Sequence, residues 1–105
     1  MASRMEQLER LLAAEPDDAF LNFALAMELA KIERLEDAVA RFERAIEMDA
    51  DYCAAYYQKA KTLLQANQTD QARRAIADGI VVAQRTGDNH TAEKLREMLQ
   101  TLGVG

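Results

Sequence analysis

Proline and glycine are nearly missing from this chain, with one Pro and four Gly in 105 residues. That is too few for a turn-rich sheet protein or a disordered tail. There is no tryptophan. The single cysteine, Cys53, excludes an internal disulfide and a cysteine-pair metal site, and it fits a reducing compartment. With one histidine, His90, the chain cannot assemble a convincing zinc ligand set. No apolar run approaches the ~20 residues of a membrane span. The opening stretch to Arg10 alternates charged with apolar residues, unlike a secretory signal. Thirteen basic residues face 18 acidic ones, for a net charge of −5, and the basic ones are scattered. A phosphate-backbone binder concentrates them on one face, because counterion release drives its affinity. The expectation is a cytoplasmic protein with neither nucleic acid nor membrane as partner.

What the chain does have is apolar residues at 50% and charged ones at 30%. The apolar share leans on Ala, Leu and Met, which favour helix over strand. One all-α domain is expected.

Its organisation follows from an internal repeat. Leu29, Ala38, Phe42, Ala45 and Ile46 recur as Leu63, Ala72, Ile76, Gly79 and Ile80, always 34 residues on. Ala26 and Ala60 keep that offset, as do Phe23 and Tyr57. Going backward, Pro16 pairs with Ala50 and Leu12 with Ile46. Each unit holds two helical patterns. The first, from Ala19 to Lys31 and from Tyr52 to Leu64, is apolar nearly all round in the first unit, as expected of a helix covered on several sides. The second, from Glu36 to Met48 and from Asp70 to Val82, carries one apolar stripe (Val39, Phe42, Ala45 and Ile46 in the first unit) and a charged outer face. Ser3 and Glu6 have capping-box spacing for an earlier helix running to about Ala14, which Pro16 stops. Thr69 or Asp70 is expected to cap the helix that follows the Asn67-Gln68 break. After Thr86-Gly87-Asp88, Leu95, Met98, Leu99 and Leu102 form the stripe of a last helix.

The 34-residue period, the paired helices and the Ala38-xxx-Phe42 spacing resemble the tetratricopeptide repeat. The resemblance implies a short right-handed α-solenoid of antiparallel helix pairs. The single domain, 1–105, divides into an N-terminal half-unit at 1–16, repeats at 17–50 and 51–84, and a capping helix at 85–105. Small residues stand at the family's tight crossings: Ala26, Ala60, Ala38 and Ala72, then Ala45 and Gly79. A glycine there costs roughly 1 kcal/mol of helix propensity, so Gly79 predicts an especially close contact. The family's aromatic position near the inner-helix start holds Asn22 and then Tyr56.

No catalytic constellation emerges. Cys53 opens an inner helix with no base beside it in sequence, and a small helix-start residue is the better reading. Asp17, Asp18, Glu36, Asp37, Asp49 and Asp51 lie at helix starts or turns, where carboxylates meet the helix dipole. The chain is therefore expected to be non-enzymatic and to need no cofactor or metal. In the resembled family the inner helices line a groove for an extended peptide or a partner helix. Carried over by position, the groove residues are Phe20, Phe23, Met27 and Lys31 in the first unit, and Tyr57, Gln58, Lys61 and Leu64 in the second. Phe23 and Met27 stand where one family groove, a carboxylate clamp, uses basic residues and asparagine. This groove therefore reads as apolar-aromatic with isolated positive charge. The resemblance implies a protein–protein interaction module. The alternative is a self-assembling homo-oligomer formed through the groove or the solenoid ends.

Overall fold

The computed structural model describes residues 2–103. Met1 and the last two positions of the expected capping unit, 104–105, lie outside the described residues. Six helices follow one another: α1 (Arg4–Ala14), α2 (Ala19–Lys31), α3 (Leu35–Met48), α4 (Cys53–Gln65), α5 (Thr69–Thr86) and α6 (Asn89–Thr101). Among the described residues there is no strand.

Helix starts follow from local chemistry. Ser3 and Glu6 close the expected capping box: the Glu6 amide donates to Ser3 Oγ at 3.1 Å, and the Ser3 amide to Glu6 Oε1 at 3.4 Å. Asp18 accepts from the Leu21 amide at 2.8 Å and caps α2. The expected cap at Thr69 or Asp70 is absent. Gln68 is the boundary residue, it makes no side-chain cap bond, and Thr69 is already helical. The reason lies in the preceding turn. Asn67 has φ 61°, and the Gln68 amide donates back to the Leu63 carbonyl at 2.9 Å while the Asn67 amide reaches Leu64. The turn that ends α4 therefore delivers the chain directly into α5. The same turn ends α2, with Glu33 at φ 61° and the Arg34 amide 3.0 Å from the Leu29 carbonyl. A left-handed backbone strains a residue bearing a Cβ, and strains Asn less than Glu. Glu33→Gly should accordingly raise stability by about 0.5–1 kcal/mol, and Asn67→Gly by less. Thermal melts of the two variants check both the sign and the order.

The helices form two layers. The inner helices α2, α4 and α6 touch in sequence, α2 with α4 and α4 with α6. The outer helices α1, α3 and α5 each pack on inner ones, and among the described residues their backbones do not come close to one another. An array held close on one side and spread on the other curves, with the inner helices on the concave side. Small residues make the crossings close: Ala26, Ala38, Ala45, Ala60 and Ala72 are fully buried. Gly79 is closer still, since a Cβ there would lie 2.8 Å from Leu95 Cδ1 and 2.9 Å from Tyr56 Cβ.

At the repeat offset, α1 carries Arg4 where α3 and α5 carry Ala38 and Ala72, and Leu11 where they carry Ala45 and Gly79. Leu11 is 52% exposed. No inner helix precedes α1 among the described residues, so nothing demands a small side chain there. The helix takes the outer position, and Leu8 and Leu12 bury it against α2.

The aromatic position of the family pattern is filled by two chemistries that do one job. Tyr56 Oη donates to the Ala50 carbonyl at 2.9 Å. One repeat earlier, fully buried Asn22 donates through Nδ2 to the Pro16 carbonyl at 3.1 Å and to the Asp18 carbonyl at 2.9 Å. Asn22 Oδ1 accepts from the Arg41 guanidinium at 3.0 Å, which completes its bonding. In each unit a side chain near the inner-helix start ties down the loop entering that helix.

The second unit departs from the first at its end. The periodicity predicts α5 to Val82, but the helix continues to Thr86. Val82 and Ala83 are buried with Cys53, Tyr56 and Ala92, so the extra turn pays into the core. Gly87, at φ 78°, then stops it. As a result α6 begins at Asn89, two residues later than a strict repeat of α4 would start.

Candidate functional site

The groove candidates named from the sequence fall into two groups, one on α2 and one on α4. On α2, Phe20 is 61% exposed and is not part of the core. Phe23 is half-buried: its ring stacks on Tyr52 at 4.9 Å and meets Phe42 edge-on at 5.6 Å. These contacts make Phe23 a packing residue that presents only part of its ring. Met27 is half-buried against the core formed by α1, α2 and α3. Lys31 is exposed and pairs with Glu28 at 3.0 Å, a carboxylate that also meets Arg4 at 3.5 Å.

On α4, Tyr57 and Leu64 are half-buried against the second core. Lys94 of α6 holds its Nζ 4.1 Å from the Tyr57 ring centroid, a cation–π contact. Gln58 is half-buried. Lys61, one turn beyond Tyr57, is exposed and in no ion pair among the described residues. Tyr57 and Leu64 also border a cleft of about 320 Å³, which α6 completes with Lys94, Glu97, Met98 and Thr101.

Phe23 and Tyr57 occupy equivalent places in the repeat but turn to different neighbours. Phe23 stacks on Tyr52; the position equivalent to Tyr52 in the next unit is Thr86, which offers no ring. Tyr57 is left for Lys94. The four α6 residues of the cleft were not among the sequence-derived candidates. Their signal was the stripe of Leu95, Met98 and Leu102, which marks the buried side of α6 but not what borders it.

The remaining polar residues are structural. Cys53 is buried, with Sγ 3.4 Å from Thr86 Oγ1. His90 is exposed in the first turn of α6. Asp88 caps α6 by accepting from the Thr91 amide at 3.0 Å and the Thr91 hydroxyl at 2.7 Å. These bonds to Thr91 hold its carboxyl below the usual carboxylate range. Burial raises the Tyr56 phenol above its usual range, and its hydroxyl donates to the Ala50 carbonyl. On the outer side, a cleft of about 460 Å³ opens between α1 and α3, floored by Leu25 and Leu29 and edged by Arg34, Arg41 and Arg44. Those arginines are engaged: Arg34 with Asp37, Arg41 with Asn22, and Arg44 with Asp17 and Glu47. Among the described residues, no group of three or more His, Cys, Asp or Glu side chains could hold a metal ion. No helix among them is long and apolar enough to cross a membrane.

The chain is similar to known proteins over nearly all its length. A TPR repeat-containing protein of Pseudomonas aeruginosa is 29% identical over 98 residues, covering 93% of both chains. A tetratricopeptide repeat domain protein of Salinibacter ruber, solved in solution, superposes with a TM-score of 0.77 at 34% identity, covering 86% of this chain and 92% of that one. A protein of Bordetella parapertussis, also a solution structure, reaches a TM-score of 0.85 at 30% identity over 97% of this chain and 89% of its own. Residues 29–88 match the family model for the tetratricopeptide repeat. With the 34-residue period, the paired helices and the small residues at their crossings, these likenesses establish that the chain belongs to the tetratricopeptide repeat family.

Proposed function

We propose that the chain is a non-enzymatic interaction module that receives a peptide or partner helix on the inner face of α2, α4 and α6. Tetratricopeptide repeats generally mediate protein–protein interaction, which sets the class. The observation that carries the proposal is the solvent exposure of the side chains assigned to that face. Phe20 is 61% exposed, Met27 and Tyr57 are half-buried, and Lys61 is exposed without an ion pair among the described residues. An aromatic and a thioether that retain solvent contact at one surface are the anchors an interface uses.

A photo-crosslinking residue introduced at Phe20 or Lys61, compared with one at exposed Ala77 on α5, tests this reading in lysate of the native host. Capture of a protein partner from the two inner positions and not from Ala77 is the expected result. Tyr57→Ala should then weaken the captured complex by about 1–3 kcal/mol, as truncating an anchor does. Crosslinks arising from the outer helix alone would place the interface on the other side and overturn the reading.

Homo-oligomerisation is the second reading, and exposed Leu11 and Phe20 favour it. Light scattering across a dilution series separates the two. A mass that stays at one chain removes the second.

A further inference from the structure

Helix α4 stands apart in an acidic chain. Each of the other five helices carries at least one carboxylate, whereas α4 carries none and holds Lys59 and Lys61. Lys59 is neutralised by Glu43 of α3 at 3.3 Å. Lys61 and Lys94 are not: neither is in an ion pair among the described residues, and both are set about Tyr57, Lys61 one turn along the helix and Lys94 over the ring. Tyr57 and Lys94 border a cleft together with Leu64, Met98 and Thr101, and Glu97 is its one carboxylate. Its volume of about 320 Å³ is at the small end of ligand clefts, enough for one large side chain and too little for a whole helix.

Granting that the inner face is the binding surface, we propose that this cleft between α4 and α6 seats an acidic peptide segment. One apolar side chain of the segment enters against Tyr57, Leu64 and Met98, and a neighbouring carboxylate meets Lys61 and Lys94. Charge complementarity selects the occupant. In a chain of net charge −5, Lys94 on the cleft and Lys61 one turn from Tyr57, neither in an ion pair among the described residues, favour an acidic segment over a basic one. Glu97 works against the carboxylate and limits the affinity.

The test is a random-sequence peptide library displayed on phage and selected against the full chain, with the enriched peptides then measured by fluorescence anisotropy. The selected peptides should be acidic around one apolar residue and should bind less tightly as salt is added. Lys61→Glu, an exposed change that leaves the core alone, should lower their affinity about ten-fold or more, and Lys94→Glu should do the same. Glu97→Gln should raise it. Basic or uncharged peptides, or acidic ones indifferent to both Lys61→Glu and Glu97→Gln, would overturn the proposal, as would a library that yields no binder. If such peptides instead lose affinity on Phe20→Ala or Met27→Ala, the inner face remains the binding surface and only this cleft is rejected. If amide-shift mapping puts them in the outer cleft over Leu25 and Leu29, both readings fall.

Discussion

Gly79→Val should lower the free energy of unfolding by about 3 kcal/mol, through overpacking at a crossing that has no slack. The missing Cβ of Gly79 would lie 2.8 Å from Leu95 Cδ1 and 2.9 Å from Tyr56 Cβ. The leucine end can rotate away. The tyrosine Cβ cannot, because it is fixed to the α4 backbone, and Tyr56 is also held by its bond to the Ala50 carbonyl. The added atom must therefore push α4 and α5 apart along a crossing lined by fully buried Ala60 and Ala72. Gly79→Ala meets the same two atoms, but alanine returns roughly 1 kcal/mol of helix propensity, so its net loss should be smaller. Urea unfolding reads both midpoints. A stabilised Gly79→Ala would mean that the helices can separate freely, contrary to the close packing described above.

Leu95→Ala should be at least as costly, at about 3–4 kcal/mol, in the range of fully buried leucine truncations. Leu95 is fully buried among Ala60, Leu63 and Ile76, and is the one fully buried side chain of α6 in that core, with Met98 and Leu102 packed against it. Removing 91–105 altogether should go further. It would uncover the apolar end of the second unit and leave a protein that aggregates or partly unfolds. A truncated chain that stays monomeric, with an unchanged urea midpoint, would show that α6 closes nothing. The two sites are also coupled. Leu95→Ala vacates one of the two positions that the Gly79→Ala methyl needs, so the double variant should lose less than the sum of the singles.

Much of the architecture was legible from one offset. The recurrence of Ala38, Phe42 and Ala45 as Ala72, Ile76 and Gly79 carries the helix pairs, and α2 runs from Ala19 to Lys31 as the apolar pattern indicates. The offset fails where the second unit stops copying the first. Ala83 carries α5 past Val82 and is buried with it in a cluster that holds Ala92 of α6, a partner that no local pattern reveals. The capping rule fails at Thr69 for a related reason: the turn at Asn67 closes on the Leu63 carbonyl and determines where α5 begins. The inner-face residues could be located by position, but not by neighbour. Phe23 and Tyr57 are equivalent in sequence, and what separates them is a contact with Tyr52 on one side and with Lys94 on the other.

The spacing of the outer helices has a mechanical consequence. With α2, α4 and α6 in contact and α1, α3 and α5 apart, the molecule resembles a leaf spring hinged along its inner row. Bending it would widen or narrow the outer clefts and would also shift α3 against α4 and α5 against α6, the packing that joins one unit to the next. A guest that tightens the inner row must open the outer clefts, and a body wedged over Leu25 and Leu29 would bend the array in the same sense. Were a guest on one side to change the curvature and thereby the affinity of the other, the second guest would change the first's by the same factor.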